Sequence, residues 1–338
     1  MPTNIAYPVM ISNMTATGSY PQGVACDPTG KFVYVANSVA NTVQAHTINQ
    51  YSGALTFAGT FVAESGPQGV ACRPTGNFLY VTNYSSNSVS AYRINQTTGA
   101  LSPVKTTSTG TSPQGVACDP TGKFVYVANY NSSTVSAYTI DQTTGALTSV
   151  GTTAAGSNPY GVACDPTGKF VYVANLNSNT VSAYTINQTT GVLTSVGTTA
   201  TGTTPYVVAC DPTGKFVYVT NYNSANVQAY TIDQTTGALT SVGTTAAGSN
   251  PYGVACDPTG KFVYVANLNS NTVSAYTINQ TTGVLTSVGT TATGTTPYVV
   301  ACDPTGKFVY VTNYNSANVQ AYTIDQTTGA LTSVGTTA

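Results

Sequence analysis

Tryptophan is absent from these 338 residues, histidine occurs once, and charged side chains make up only 6% of the chain. Each shortage excludes something. A net charge of −1 with no Lys/Arg cluster removes the electrostatic footprint of a nucleic-acid binder. No apolar run approaches the ~20 residues that span a bilayer, so membrane insertion is not expected. Residues 1–20 lack a basic stretch followed by an apolar core, so no signal peptide is expected either. One histidine and no Cys-x2-Cys spacing argue against a metal centre, and nothing signals a cofactor. Helical periodicity is missing from every window. With so little charge, the polar surface must be built from Thr, Ser, Asn and Gln.

What is present is repetition. Seven cysteines, Cys26, Cys72, Cys118, Cys164, Cys210, Cys256 and Cys302, stand 46 residues apart. Each marks a copy of one unit, and such a period fixes the architecture before anything else is read. Seven thiols at one equivalent position do not form a paired framework, so free buried thiols are expected.

Residues 113–158 serve as the type repeat. Gly115–Cys118 reads as a short strand of small residues. In Asp119-Pro-Thr-Gly-Lys123, Pro120 presets φ, Asp119 accepts turn N–H groups and Gly122 takes a positive φ, which predicts a hairpin turn. Phe124–Asn129 is apolar on both faces, as a strand buried on both sides should be. After a polar loop, Thr134–Ile140 alternates, with Val135, Ala137 and Thr139 on one face. Gln142–Gly145 forms a second Gly-containing turn, and Leu147–Thr152 is a more polar fourth strand.

Four strands in each of seven repeats predict an all-β protein, a seven-bladed β-propeller of four-stranded antiparallel blades. The expected domain is single, with blades at about 21–66, 67–112, 113–158, 159–204, 205–250, 251–296 and 297–338. Strand two reads Tyr-Val-Thr-Asn at 80–83, 218–221 and 310–313, and Tyr-Val-Ala-Asn in the other four repeats. This resembles the signature of YVTN-repeat propellers. The segment 140–148 and the Gly-x-x-Pro at 156–159 also resemble the seven-bladed lactonase family, which includes 6-phosphogluconolactonases. The resemblance covers essentially all of residues 21–338, and its motifs are strand and turn residues, specific for the fold.

Two irregularities stand out. Residues 137–246 are identical to residues 229–338, which means recent amplification or deliberate construction. At the N-terminus, residues 8–18 fall where a fourth strand belongs, within an extra segment 1–20. The C-terminus, 330–338, also ends in a fourth strand. Two segments therefore compete for one rim, or one is spare and pairs with an edge in another molecule.

The resemblance implies a lactonase site with His, Glu and Arg at the channel mouth. The residues of those types are His46, Glu64, Arg73 and Arg93. His46 replaces the strand-three tyrosine of Tyr92, Tyr138 and Tyr184; Arg73 replaces a turn aspartate; Glu64 belongs to a loop on the other face. They do not form a constellation, so no catalytic residue is expected. The alternative candidate is a ligand-binding mouth. Gln22, Gln68, Gln114, Tyr160, Tyr206, Tyr252 and Tyr298 each follow the proline that starts a blade. Tyr84, Tyr130, Tyr222 and Tyr314 sit in loops at the same face. Amides with exposed tyrosines suit polyhydroxylated ligands; tyrosines packed between blades are the competing reading.

The sequence expectation is therefore a non-catalytic propeller, a scaffold or binding protein that self-associates through a spare terminal strand. A lactonase-type hydrolase is the alternative, and a glycan-binding propeller is the second alternative. Expected partners are a second copy of the chain, or a carbohydrate or protein at the channel mouth. Free cysteines lean towards the cytoplasm, whereas a Thr/Asn/Ser-rich surface also suits a cell-surface protein.

Overall fold

Each repeat folds as two hairpins because its two tight turns are closed by their own side chains. In the first turn of blade three, Asp119 accepts the backbone N–H groups of Thr121 (3.0 Å), Lys123 (2.8 Å) and Phe124 (2.7 Å), and the Thr121 hydroxyl. In the second, Asp141 accepts Thr143 N–H (2.9 Å) and Thr144 N–H (2.7 Å), while Gly145 adopts φ +78°.

The computed structural model describes residues 14–334. Six four-stranded antiparallel sheets take their strands in chain order, over 21–62, 67–108, 113–154, 159–200, 205–246 and 251–292. The inner strands, such as Pro113–Cys118, line a central channel, and the outer strands, such as Leu147–Ala154, form the rim. The inner strand of blade one packs on that of blade seven, so the ring closes. This is the expected seven-bladed propeller. Inner and outer strands extend about two residues beyond the sequence reading.

The second strand is buried along its whole length in every blade. Burying one such Val or Phe contributes about 1.5–3 kcal/mol before entropy. Its signature residues also join the blades. The hydroxyl of Tyr126 donates to Gly191 O in the next blade (3.0 Å). The same bond is made by Tyr34, Tyr80, Tyr172, Tyr218 and Tyr264. Tyr310 closes the circle by donating to Gly53 O (3.1 Å). The signature Asn129 donates to Thr134 Oγ1 (3.1 Å) and Ser136 Oγ (2.8 Å) and accepts Gly110 N–H (3.1 Å). It ties its hairpin to the loop entering the blade.

Blade seven corrects the either–or expected of the termini. Its third strand, Asn318–Ile324, pairs with both. Leu331–Ser333 takes the Tyr322–Ile324 half, and Met14–Ala16 takes the Asn318–Gln320 half. Residues 1–13 and 335–338, which belong to the two expected strands, lie outside the described residues.

The second turn supplies a pH test. In Asp141, Asp233 and Asp325, hydrogen bonds from turn N–H groups hold the carboxyl below its ordinary range. A lowered folded-state pKa gives stability that is present above the unfolded pKa and lost as pH falls through the folded one. Blades with Asn95 or Asn187 make the same bonds through a neutral amide. The triple variant Asp141→Asn/Asp233→Asn/Asp325→Asn is expected to lose less melting temperature than wild type between about pH 5 and pH 2. Equal losses in a thermal titration would contradict this.

Candidate functional site

The residue after each blade-starting proline reaches the channel because the inner strand carries a bulge. In blade three the register passes from Pro113↔Asn129 to Val116↔Val127, which leaves Gln114 and Gly115 out of regular pairing. A bulge of this kind re-aims a side chain, here into the lumen. The next position tolerates little bulk where inner strands converge: a Cβ on Gly23 would lie 2.3 Å from Gln68 O.

The bulged residues and their neighbours enclose a cavity of about 150 Å³ beneath this mouth. It is lined by Gln22, Gln68, Gln114, Tyr160, Tyr252 and Tyr298 over a floor that includes Val24, Val70 and Val116. A cavity of about this volume holds one six-membered ring. The mouth is two-sided, with amides from blades one to three and phenols from blades four to seven.

The tyrosine side differs from the exposed stacking surface expected from the sequence. Tyr252 is only 2% exposed, with its ring 4.3 Å from Tyr206 and 3.9 Å from Tyr298. Its hydroxyl bonds the hydroxyls of Tyr298 (2.6 Å) and Tyr160. Gln22 and Gln114 are buried too, and Gln22 Nε2 donates to Ser38 Oγ (3.4 Å). Burial pushes the phenols of Tyr160, Tyr252 and Tyr298 above their ordinary range, and that of Tyr206 up to about 12. At neutral pH these hydroxyls are therefore protonated hydrogen-bond donors. The loop tyrosines form an outer collar: Tyr222 lies 5.1 Å from Tyr206, Tyr130 6.3 Å from Tyr160, and Tyr314 stacks on Tyr298 at 5.3 Å. Tyr84 is half-buried in the corresponding loop of blade two. Tight mutual packing of the ring, with two-residue bulges beneath it, carries no sequence signal beyond the repeated Pro-Tyr.

The four residues of lactonase type remain apart. His46 is fully buried, and desolvation lowers its pKa to about 4, so the imidazole is neutral. Its ring lies edge-on to Phe57 at 6.0 Å, and neither nitrogen has a hydrogen-bond partner. Glu64 is exposed in the loop entering blade two. Arg73, buried at the opposite end, donates through Nε to Gly122 O (3.0 Å) and through Nη2 to Gln142 Oε1. Arg93 Nη2 donates to Thr143 O (2.9 Å). Six lysines follow the first turns at that same opposite end, and Lys105 is on an outer strand. Among the described residues, therefore, no cation lines the mouth.

The channel's other end is a second cavity, of about 360 Å³, lined by all seven cysteines and by turn residues such as Asp27 and Asp165. The thiols are free and half-buried, and desolvation raises them far above the ordinary range. Among the described residues no cluster of His, Cys, Asp or Glu has the geometry of a metal site.

A closed seven-bladed propeller with one polar, uncharged channel mouth defines the class of protein. The sequence profile of the lactonase family, described as "Lactonase, 7-bladed beta-propeller", matches residues 7–71, 56–164, 161–256 and 253–338. The chain belongs to this family. No match was found among curated proteins. Among solved structures it is similar to a candidate 6-phosphogluconolactonase from Bacteroides uniformis (21% identity, TM-score 0.80, covering 95% of each chain). A second from Bacteroides fragilis matches at 23% identity and TM-score 0.80, covering 97% of this chain and 96% of the other. The periplasmic gluconolactonase of Pseudomonas aeruginosa matches at 18% identity and TM-score 0.77, covering 95% of each chain. These likenesses show the shared fold. Family membership overturns the expectation of a non-catalytic scaffold and favours the lactonase alternative. The scattered His46, Glu64, Arg73 and Arg93 carry no signal of it.

Proposed function

We propose that the chain hydrolyses an uncharged sugar lactone at the Gln/Tyr mouth. The observation that carries this is the ring-sized cavity where three amides meet a chain of protonated phenols, in a member of the lactonase family. Water adds to the lactone carbonyl carbon, the ring C–O bond breaks, and the released oxygen takes up the proton to give a hydroxy acid. The Tyr252 hydroxyl donates to the carbonyl oxygen as charge develops there, and the Gln22, Gln68 and Gln114 amides bind ring hydroxyls and the attacking water. The hydroxyls of Tyr160 and Tyr298 then donate to Tyr252, leaving its own proton for the carbonyl oxygen, while the proton of the attacking water ends on the released ring oxygen. Among the described residues no carboxylate or imidazole lines the cavity, so the rate rests on positioning and oxyanion stabilisation. The described lining holds no cation; this favours a neutral lactone over its phosphate ester, which would be desolvated unpaired.

Turnover of glucono-δ-lactone and its 6-phosphate, followed by acid release, tests this. The neutral lactone should turn over faster, and Tyr252→Phe should lower kcat about a hundredfold, the loss typical of one oxyanion donor. No turnover of either ester above buffer would overturn the hydrolase. Binding of the neutral sugar without turnover would instead assign a carbohydrate-binding mouth.

A further inference from the structure

We propose that the threonines of the three Tyr-Val-Thr-Asn signatures, Thr82, Thr220 and Thr312, are positioning residues of the mouth, each holding the mouth residue of the following blade over the cavity. Their part in turnover rests on the lactonase reading; the contacts themselves do not. The Thr82 hydroxyl donates to Gln114 O (2.5 Å), that of Thr220 to Tyr252 O (2.6 Å) and that of Thr312 to Gln22 O (2.8 Å). Each hydroxyl also accepts the N–H that follows its own blade's mouth residue, from Gly69 (2.8 Å), Val207 (3.2 Å) and Val299 (3.1 Å). One side chain thereby ties together the bulges of two consecutive blades. A bulged carbonyl lies outside the regular ladder, so a donor from the neighbouring blade fixes its plane and, through it, the direction of the side chain.

The burial of the mouth residues follows the hydroxyl. Gln22 and Gln114 are 8% exposed and Tyr252 2%, and these are the three residues so held. In the other four blades the signature position is Ala36, Ala128, Ala174 or Ala266, and the mouth residues that follow, Gln68, Tyr160, Tyr206 and Tyr298, are half-buried. Local sequence is not the cause. Pro-Gln-Gly-Val-Ala-Cys is the inner strand of blades one, two and three alike, yet Gln22 and Gln114 are buried and Gln68 is not. Residues 159–204 and 251–296 are identical, yet Tyr160 is half-buried and Tyr252 enclosed; Ala128 precedes the one and Thr220 the other. Flanking rings are not the cause either. Tyr206 lies between Tyr160 (4.9 Å) and Tyr252 (4.3 Å) and is still half-buried, behind Ala174. The held residues belong to blades one, three and six and all line the cavity, so they close on it from three directions.

The test replaces Thr220 of the full-length chain by Val, which nearly keeps the shape and removes the hydroxyl, and by Ser, which keeps the hydroxyl. Four blades fold with alanine at this position, so neither change should unfold the protein. Nitration by tetranitromethane, located by mass spectrometry, reads the exposure of Tyr252 directly. Tyr252 should react about fivefold faster in Thr220→Val, the effect of one hydrogen bond, and at the wild-type rate in Thr220→Ser. Ala128→Thr should slow nitration of Tyr160 by a similar factor. With glucono-δ-lactone, Thr220→Val should lower kcat about fivefold at nearly constant KM, because Tyr252 acts on charge that develops in the transition state. Thr82→Val, which frees a binding amide, should instead raise KM. Unchanged nitration of Tyr252 in folded Thr220→Val would overturn the proposal, as would a Thr220→Ser protein that behaves like Thr220→Val. Unchanged kcat with Tyr252 freed would overturn the role in turnover. If the wild type turns over no lactone, the hydrolase reading falls, and the nitration rates alone decide whether the threonines hold the mouth.

Discussion

Asp119→Ala should destabilise the protein by about 4 kcal/mol, because one carboxylate organises the whole first turn of blade three. Asp119 is 1% exposed and takes three backbone N–H groups and a hydroxyl. Hydrogen bonds to a charged acceptor are worth about 1.5–3 kcal/mol each, and truncation leaves the buried Phe124 N–H with no acceptor. Asp119→Asn keeps one oxygen and should lose about half as much. Blade two shows what tolerating the change requires. Its turn has Arg73 instead, and that side chain spans to the next blade, bonding Gly122 O and stacking over Phe78 at 5.8 Å. Alanine brings no such replacement. Equilibrium denaturation in urea measures the loss, and a change below about 1 kcal/mol would show that the turn closes without its cap.

Gly237→Ala should cost about 3 kcal/mol through two separable effects. Gly237 has φ +78°, where a Cβ costs about 1–2 kcal/mol. That Cβ would also lie 2.4 Å from Cδ1 of Phe170, the first residue of the second strand in the preceding blade. The Tyr172 hydroxyl bonds Gly237 O at 3.0 Å, so the turn cannot retreat without breaking the inter-blade bond. Gly243 provides the control. Its φ is +141°, but nothing lies within 4 Å of the Cβ position. Gly243→Ala should therefore cost only the backbone part, about 1 kcal/mol. Equal melting temperatures for the two variants would rule out the Phe170 contact as a source of stability.

Both predictions rest on positions that the sequence identified by type. Asp119, Gly122 and Gly145 announce turns because each supplies a conformation or an acceptor that few other residues supply, and such chemistry is local. The buried second strand was equally legible, since Phe124–Asn129 has no polar face. What was not legible was the destination of each side chain across a blade boundary. Nothing in Tyr126 predicts a bond to Gly191, because the partner lies 65 residues away and is chosen by how neighbouring blades stack. The structure brings Tyr160, Tyr206, Tyr252 and Tyr298 together, but Tyr252, read from the sequence as an exposed ring, is enclosed by the other three. The bulges that turn these residues inward depend on the second strand pairing beside them.

The sequence by itself determined the number of blades, the four strands within each and the turns between them. Those follow from a 46-residue period, strand alternation and Gly/Pro/Asp turn chemistry, all of which act within a hairpin. The tertiary structure adds that these Gln and Tyr positions close over one cavity, with the phenols packed against one another instead of facing solvent. It also decided that both termini share one edge of blade seven. These are properties of a closed ring, where blade one meets blade seven and residues almost 300 positions apart become neighbours. Short-range preferences build the blade; ring closure decides which side chains meet at the channel mouth and at the seam between blades one and seven.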